Sequence, residues 1–450
     1  MDNNSKIASL VVNQDLCIGC GLCSVVNPSI KMLWDKYGFL IPDVNNENPI
    51  EIDPIRVCPF NPYPENKVKT EDELSSLFLK NAPLSHPQVG RYYNTYAGYS
   101  HEFRLTSSSG GLATYILTEL IERGIVQHVI SVKLSTRSGY HYEYAISSDK
   151  DNLIKSAATK YFPVTLSEVL QEARQLEGKI AIVGVGCFVK GIRLLQYYDS
   201  LWREKIGFIV GIICGGVKSR FFTEYLVSKS GVSYQDYHNP EFRIKDLDSA
   251  ASDYSFGCLD SKGEHHSIKM KSVGDMWGTG MFKNNACDFC DDVTTELADI
   301  SLGDAWLQPY ASEGKGTNVL VSRSAIAEHI IREGINNGNL HIEVLPLQKL
   351  ISSQQGSFNH RQNTIAYRIK KARHSGKIIP PKRYEQNKIS LDLKWVQNQR
   401  MKIRKLSLEQ WLRTKNSLIF DKQLYNPLHK LKQKTLLNHY IRRIRRRLHR

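Results

Sequence analysis

KIAIVGVGCFVKGIRLLQ, residues 179–196, decides the fold. KIAIVGVG (179–186) is a short apolar run, the mark of a buried strand, and FVKGIRLLQ (188–196) follows with helical spacing. IGFIVGIIC (206–214) is the next buried strand. Working outward, ATYILTELIER (113–123) has apolar residues at helical spacing and Gly124 as its C-terminal stop, and IVQHVISVKL (125–134) reads as a strand. NVLVS (318–322) and LHIEVLPL (340–347) flank a helix around AIAEHIIREGI. Alternating strands and helices over 96–350 predict an α/β body within an α+β whole.

Around that body, residues 1–65 form a small cysteine-bearing module, 66–95 read as a charged linker with a short helix, and 351–450 as a basic, partly helical tail. Of 450 residues, 41% are hydrophobic, enough for a sizeable core, and no apolar run reaches the roughly 20 residues of a membrane helix. The N-terminus lacks the basic-then-apolar order of a signal peptide, so the expected location is the cytoplasm. Nine cysteines in that reducing compartment call for metal, catalysis or packing rather than disulfides. The net charge of +15 is uneven: residues 361–450 hold 26 Lys and Arg against 4 Asp and Glu, so the remainder is net acidic. Short amphipathic helices without a compact core of their own are predicted there. Such a tail suits an anionic membrane surface, at the inner face of the membrane, or an acidic partner. Nucleic acid is less favoured, because aromatic stacking residues are sparse in it.

CIGCGLC (17–23) places Cys17, Cys20 and Cys23 at the C-x2-C-x2-C spacing that lets three sulfurs meet adjacent corners of a 4Fe–4S cluster. Cys58, followed by Pro59, supplies the fourth ligand of a ferredoxin-like module. Zinc and plain packing compete less well, since zinc sites usually pair C-x2-C units. Asn27 stands where a two-cluster ferredoxin has a further cysteine, and Asn48, Glu51 and Pro54 stand at the other partner positions. The module is therefore expected to hold one cluster. Cys287 and Cys290 form a plain C-x2-C, for which iron–sulfur, zinc and redox readings all stand. Cys187 and Cys214 each follow a predicted strand. If those strands are neighbours, the two sulfurs lie side by side at the end of the sheet where ligands collect; simple burial is the rival. Cys258 has no paired spacing and is read as a non-ligand, and His265 and His266 as surface residues.

RLTSSSGGLATYILTELIERG (104–124) puts Ser107, Ser108, Ser109, Gly110 and Gly111 at a helix N-terminus, where free N–H groups attract an anion such as a cofactor phosphate. A plain capped helix fits equally. Taken together, CIGCGLC, RVCP, RLTSSSGGL, AATKYFPV, IAIVGVGCFVKGIRLLQ, IGFIVGIICGG, CDFCDDVTTELADISLGDAW and GKGTNVLVSR resemble the coenzyme F420 hydrogenase/dehydrogenase beta-subunit family, from about residue 10 to 350. Within it, bacterial members associated with surface-polysaccharide synthesis are the nearest in motif. The resemblance implies FAD and a second 4Fe–4S cluster in the body, on Cys187, Cys214, Cys287 and Cys290. It makes SSSGG the flavin loop, with Lys160, Tyr161, Gly316, Thr317 and Asn318 near the cofactor and Asp299, Gly303 and Asp304 structural or flavin-adjacent. The chain has Val185-Gly186-Cys187 where the family often has Thr-Pro-Cys, which keeps the sulfur and changes the loop before it. The implied activity is an iron–sulfur flavoprotein oxidoreductase. It would relay electrons between a redox donor protein or reduced coenzyme and an organic substrate such as a glycan intermediate. The rival is an electron-transfer subunit that feeds a separate catalytic partner.

Overall fold

The structure, a computed structural model, describes residues 5–44, 51–137 and 139–448; Asn48 and the last two residues of the Arg-rich terminus lie outside the described residues. Its centre is an eight-stranded mixed sheet. In chain order the strands are β1 (Asn94–Ser100), β2 (His128–Leu134), β3 (Tyr142–Ser147), β4 (Ile180–Val185), β5 (Ile206–Ile212), β6 (Ile300–Asp304), β7 (Asn318–Ser322) and β8 (Leu340–Val344). They lie in the order β8-β1-β7-β6-β5-β4-β2-β3. The inner four, β2, β4, β5 and β6, are parallel, and the flanking pairs are antiparallel. The α/β reading holds. Its decisive strands β4 and β5 are neighbours, with Val185 opposite Ile212 at their C-terminal ends.

Helix α1 (Leu112–Glu122) follows the serine–glycine loop, and α2 (Gly186–Tyr198) follows β4 directly. Gly191 on α2 leaves the space into which Leu22 packs; a Cβ there would lie 2.3 Å from the leucine Cδ1. The N-terminal segment is thereby keyed onto the body. Ile18, Leu22 and Val57 share one apolar core with Ile182, Phe188, Ile192, Leu297 and Ile369. The stretch 66–95, read as a linker, is packed as well. Its helix Glu71–Phe78 opens on a Thr70/Glu73 capping box, and buried Glu71 pairs with Lys190 of α2 at 3.2 Å.

The tail differs from expectation. Instead of short helices without a core, residues 361–448 include two long ones, α4 (Leu391–Thr414) and α5 (Ser417–Leu448), turning at Lys415 with φ 44°. Trp411, Phe420 and Leu424 are buried with Tyr225 and Phe282 in a second core beside helix α3 (Arg220–Lys229). Those apolar residues, sparse in the sequence, all fall on the inward faces. A smaller three-stranded sheet (Tyr237–Ile244, Ser255–Asp260, His265–Lys269) completes this side. Cys258 is buried in it, His265 is exposed and His266 is half-buried.

Trp411 tests this integration. Its indole is fully buried and donates to Glu224 Oε2 at 2.7 Å. Trp411→Ala should lower unfolding free energy by about 3–5 kcal/mol, as large-to-small core changes do, in denaturant titrations. A change no larger than an exposed substitution would mean the tail helices are not part of the fold.

Candidate functional site

Because β4 and β5 are parallel and in register, Cys187 and Cys214 emerge together, each two residues past the Val185–Ile212 pair. Cys187 lies in the first turn of α2, where the helix N-terminus favours a thiolate. Cys287 and Cys290 come from the loop around Asn285–Phe289. Burial pushes Cys187 well up, with Cys290, Cys287 and Cys214 adding to it, so the four groups face one another. Burial pushes Cys287 up to about 12, with Cys214 the next cause. Backbone N–H groups point at the sulfurs: Gly216 donates to Cys214 Sγ at 3.2 Å and Val217 to Cys287 Sγ at 3.3 Å.

Cys17, Cys20, Cys23 and Cys58 form a second convergent set. Burial pushes Cys17 up to about 12 and Cys20 to about 11; Cys23 and Cys58 are raised further, with neighbouring cysteines contributing. Gly19 and Gly21, at φ 77° and 79°, wrap the loop, and N–H groups of Gly19, Gly21, Leu22 and Ser24 reach its sulfurs. A Cβ on Gly21 would lie 2.0 Å from Thr165 Oγ1, so that turn admits no side chain.

Eight buried thiols with their protons held this tightly suit deprotonation by metal. The spacing separates the metals. Among the described residues, the only group of metal-ligating atoms within 4.8 Å of one another is Asp260, Glu264 and His266. Neither cysteine set is that tight, whereas thiolates around zinc at ~2.3 Å stand about 3.8 Å apart. A cube of iron and sulfide holds its thiolates wider, and the donor sets fit that group.

The two sets are tied together. Asn284 donates to the Cys17 carbonyl at 3.0 Å, three residues before Cys287, and Asn285 to Asp15 O at 2.8 Å. Cys20 acts electrostatically on Cys187. Beyond the second set lies a cavity of about 910 Å³, at the upper end of the range for cofactor sites. The C-terminal ends of the parallel strands wall it, through Val183–Val185, Ile212 and Leu302–Asp304, and Cys214 is on its surface.

Of the residues singled out from sequence, Ser107, Ser108, Ser109, Gly111, Lys160, Tyr161 and Asn318 line this cavity, as do Gly303 and Asp304. Gly110, Gly316 and Thr317 do not: they back the serine loop. Gly110 packs on Gly98 and Asn318, Thr317 O accepts from Ser109 Oγ at 3.1 Å, and Gly316 O accepts from Arg104 at 2.8 Å. The helix N-terminus is partly occupied, since Leu112 N–H bonds Asn318 Oδ1 at 3.3 Å. Lys160 gives its ammonium hydrogens to the carbonyls of Ser156, Ala157 and Ala158, and burial lowers it to about 8. Tyr161 packs edge-on to Trp277, ring centres 4.8 Å apart. Asp299 stays out of the cavity: it accepts from Ile209 N at 2.9 Å and Arg193 at 3.0 Å.

Sequence reasoning missed three contributors. Arg361, buried in the supposed tail, donates to Cys290 Sγ at 3.4 Å and to the carbonyls of Asp292 and Cys214. Lys218 faces the cavity between Trp277 and Phe222, and burial lowers it to about 7. Arg243 crosses the wall to pair with Asp304. No spacing or motif set these apart from ordinary surface cations.

Comparison with known proteins gives the same grouping. Two profiles for the beta subunit of coenzyme F420 hydrogenase/dehydrogenase match, the N-terminal one over residues 95–171 and the C-terminal one over 177–347. The chain belongs to this family. It is 24% identical over 314 residues to the F-type subunit of F420H2 dehydrogenase from Methanosarcina mazei, covering 66% of this chain and 78% of that one. It is 26% identical over 246 residues to the beta subunit of a coenzyme F420 hydrogenase from Methanococcus voltae, covering 52% and 82%. Coenzyme F420-dependent sulfite reductase of Methanocaldococcus jannaschii is 21% identical over 72% of this chain, which spans about half of that protein, 48%. A chain of the F420-reducing NiFe hydrogenase complex of Methanosarcina barkeri superposes with TM-score 0.48 at 19% identity, covering 63% of this chain and 95% of its own. The family is one of electron-transfer oxidoreductase subunits.

Asn318 joins three parts of the cavity wall, since it also donates to Gly303 O at 3.1 Å. Asn318→Ala leaves two buried backbone groups unpaired and should cost about 1–3 kcal/mol, measured by denaturant unfolding.

Proposed function

We propose that the chain is an iron–sulfur flavoprotein oxidoreductase with one four-iron cluster on Cys17, Cys20, Cys23 and Cys58, a second on Cys187, Cys214, Cys287 and Cys290, and FAD in the large cavity. The observation that carries this reading is continuity. Asn284 joins the first cysteine loop to the second, and Cys214 belongs both to the second set and to the cavity wall. When bound, four-iron clusters pass single electrons and a flavin exchanges one or two, which would make the chain a relay.

Its own residues would do the holding. Gly216 and Val217 N–H groups would bond thiolate sulfur, and Arg361 would place a positive charge beside Cys290. Ser107–Ser109 and the start of α1 would take the anionic part of the flavin cofactor. Tyr161 and Trp277 would give its ring an apolar wall. The proposed donor is a ferredoxin-type protein or a reduced coenzyme; the relatives' names make F420 the first coenzyme to try. The proposed acceptor is an organic molecule, a glycan intermediate on motif resemblance alone.

Anaerobic purification with iron, sulfide and flavin analysis tests the reading: roughly eight irons and one flavin per chain are expected from two four-iron clusters. Cys187→Ser should retain about four irons. Zinc in place of iron would end the proposal. Turnover that needs a partner protein would recast the chain as one that feeds a separate catalyst.

A second measurement concerns Arg361. Charge and hydrogen bonds at the sulfurs help set cluster potential. Arg361→Leu should make the body cluster harder to reduce in a spectroscopically monitored redox titration and leave the N-terminal cluster unmoved. Arg361→Lys should shift it less. Equal potentials in all three proteins would remove Arg361 from this role.

A further inference from the structure

Helix α5 has two opposed apolar faces, and only one has a partner. Phe420, Leu424 and Leu431 are buried with the second core, and Asn438 is buried on the same side. At 3.6 residues per turn these four positions fall within about 40° of the helix circumference. The opposite side carries Leu418, Tyr425, Leu436, Leu437, Tyr440 and Ile444, all exposed; Leu418 is 77%, Tyr425 66% and Tyr440 64% accessible. These positions lie within about 120°, so they form one stripe rather than scattered residues. The fold gives this stripe no packing role.

The stripe is set among cations. Residues 417–448 contain nine Lys and Arg against one Asp. Exposed Lys422 sits within the stripe, and exposed Lys430 and Lys432 fall on its two borders. At about 1.5 Å per residue the helix is nearly 50 Å long. A straight, convex apolar ridge bordered by long cationic side chains matches a lipid headgroup layer, which needs no complementary groove and into which Lys and Arg stems extend. Nucleic acid would draw on the cations and leave the leucines unused. The helix lies outside the residues matched by the family profiles, which end at 347.

We propose that the outer face of α5 docks the protein, parallel to the surface, on an anionic lipid bilayer. The inference is independent of the redox reading, and its test needs no turnover.

The full-length protein, with whatever cofactors it carries, is sedimented with vesicles of phosphatidylcholine alone or mixed with phosphatidylglycerol. Retention by the mixed vesicles is expected, with little by the neutral ones, and added salt should weaken it several-fold. Leu436→Ser with Tyr440→Ser should reduce retention several-fold, and so should Lys430→Glu with Lys432→Glu. Both pairs face away from the core, so circular dichroism and melting should be unchanged. No retention on phosphatidylglycerol would overturn the proposal, as would equal retention by both compositions. Retention unaffected by the Leu436/Tyr440 pair would overturn it too. So would a dimer in sedimentation velocity that the same pair dissociates, because a second copy would then cover the stripe. Tighter capture by duplex DNA, insensitive to that pair, would assign the cations to nucleic acid.

Discussion

The register between β4 and β5 governs the site. Val185 opposite Ile212 brings the ends of two parallel strands together, and each chain then delivers a cysteine two residues later. The returning loop must lie close over those ends to add Cys287 and Cys290, and glycines make the room. A Cβ on Gly211 would lie 2.6 Å from Thr295 Cγ2 and 2.7 Å from Ala298 Cβ; one on Gly186 would meet Asp292 Oδ2 at 2.6 Å. The departure from Thr-Pro-Cys therefore has a local consequence here: Gly186 admits the Asp292 side chain beside the first turn of α2. Shifting the strands by one residue would turn every side chain to the opposite face and separate the sulfurs.

What stands over the strand ends also determines how the N-terminal segment docks. Asn284 and Asn285 bond carbonyls of Cys17 and Asp15, and α2 accepts Leu22 at Gly191. The small cysteine-bearing module is thus held by the loop and the helix that present the second cysteine set. Displacing one set would disturb the other, because they share donors and core residues rather than a flexible connection.

The strands and helices of the body were legible because buried strands carry continuous apolar runs and α1 carries clean helical spacing. The cysteine sets were legible because short loops impose fixed spacing on sulfurs. Whether Cys187 and Cys214 meet was conditional on strand order, which no local pattern encodes. The cavity face of Ser107–Ser109 could be anticipated from a helix start, but the roles of Gly110, Gly316 and Thr317 behind the loop could not, since close backbone approach depends on which segment lies opposite. The tail escapes a sequence reading for a related reason. Its few apolar residues look too sparse for a core, yet Trp411, Phe420 and Leu424 complete one that α3 and Phe282 already half build.

That tail also changes the meaning of the charge distribution. An acidic body and a basic C-terminus look like separate features when counted along the chain. In space they meet beside the second cysteine set. Asp288 pairs with Lys283 at 2.6 Å and Arg404 at 3.1 Å; Glu296 pairs with Arg383 at 2.7 Å; Asp291 faces Lys382 and Arg383 at 3.5 Å, and all three acids are buried. Apart from Lys283, the cations come from beyond residue 380. Buried carboxylates beside eight sulfurs would be costly alone, and removing one partner of such a pair leaves an uncompensated charge. The inner part of the tail is thus the counter-charge of the CDFCDDVTTE segment. The excess that remains exposed is concentrated on α5, where it accompanies an apolar stripe instead of an acid. One basic segment therefore has two chemistries: ion pairing where it is buried, and an apolar–cationic surface where it is not.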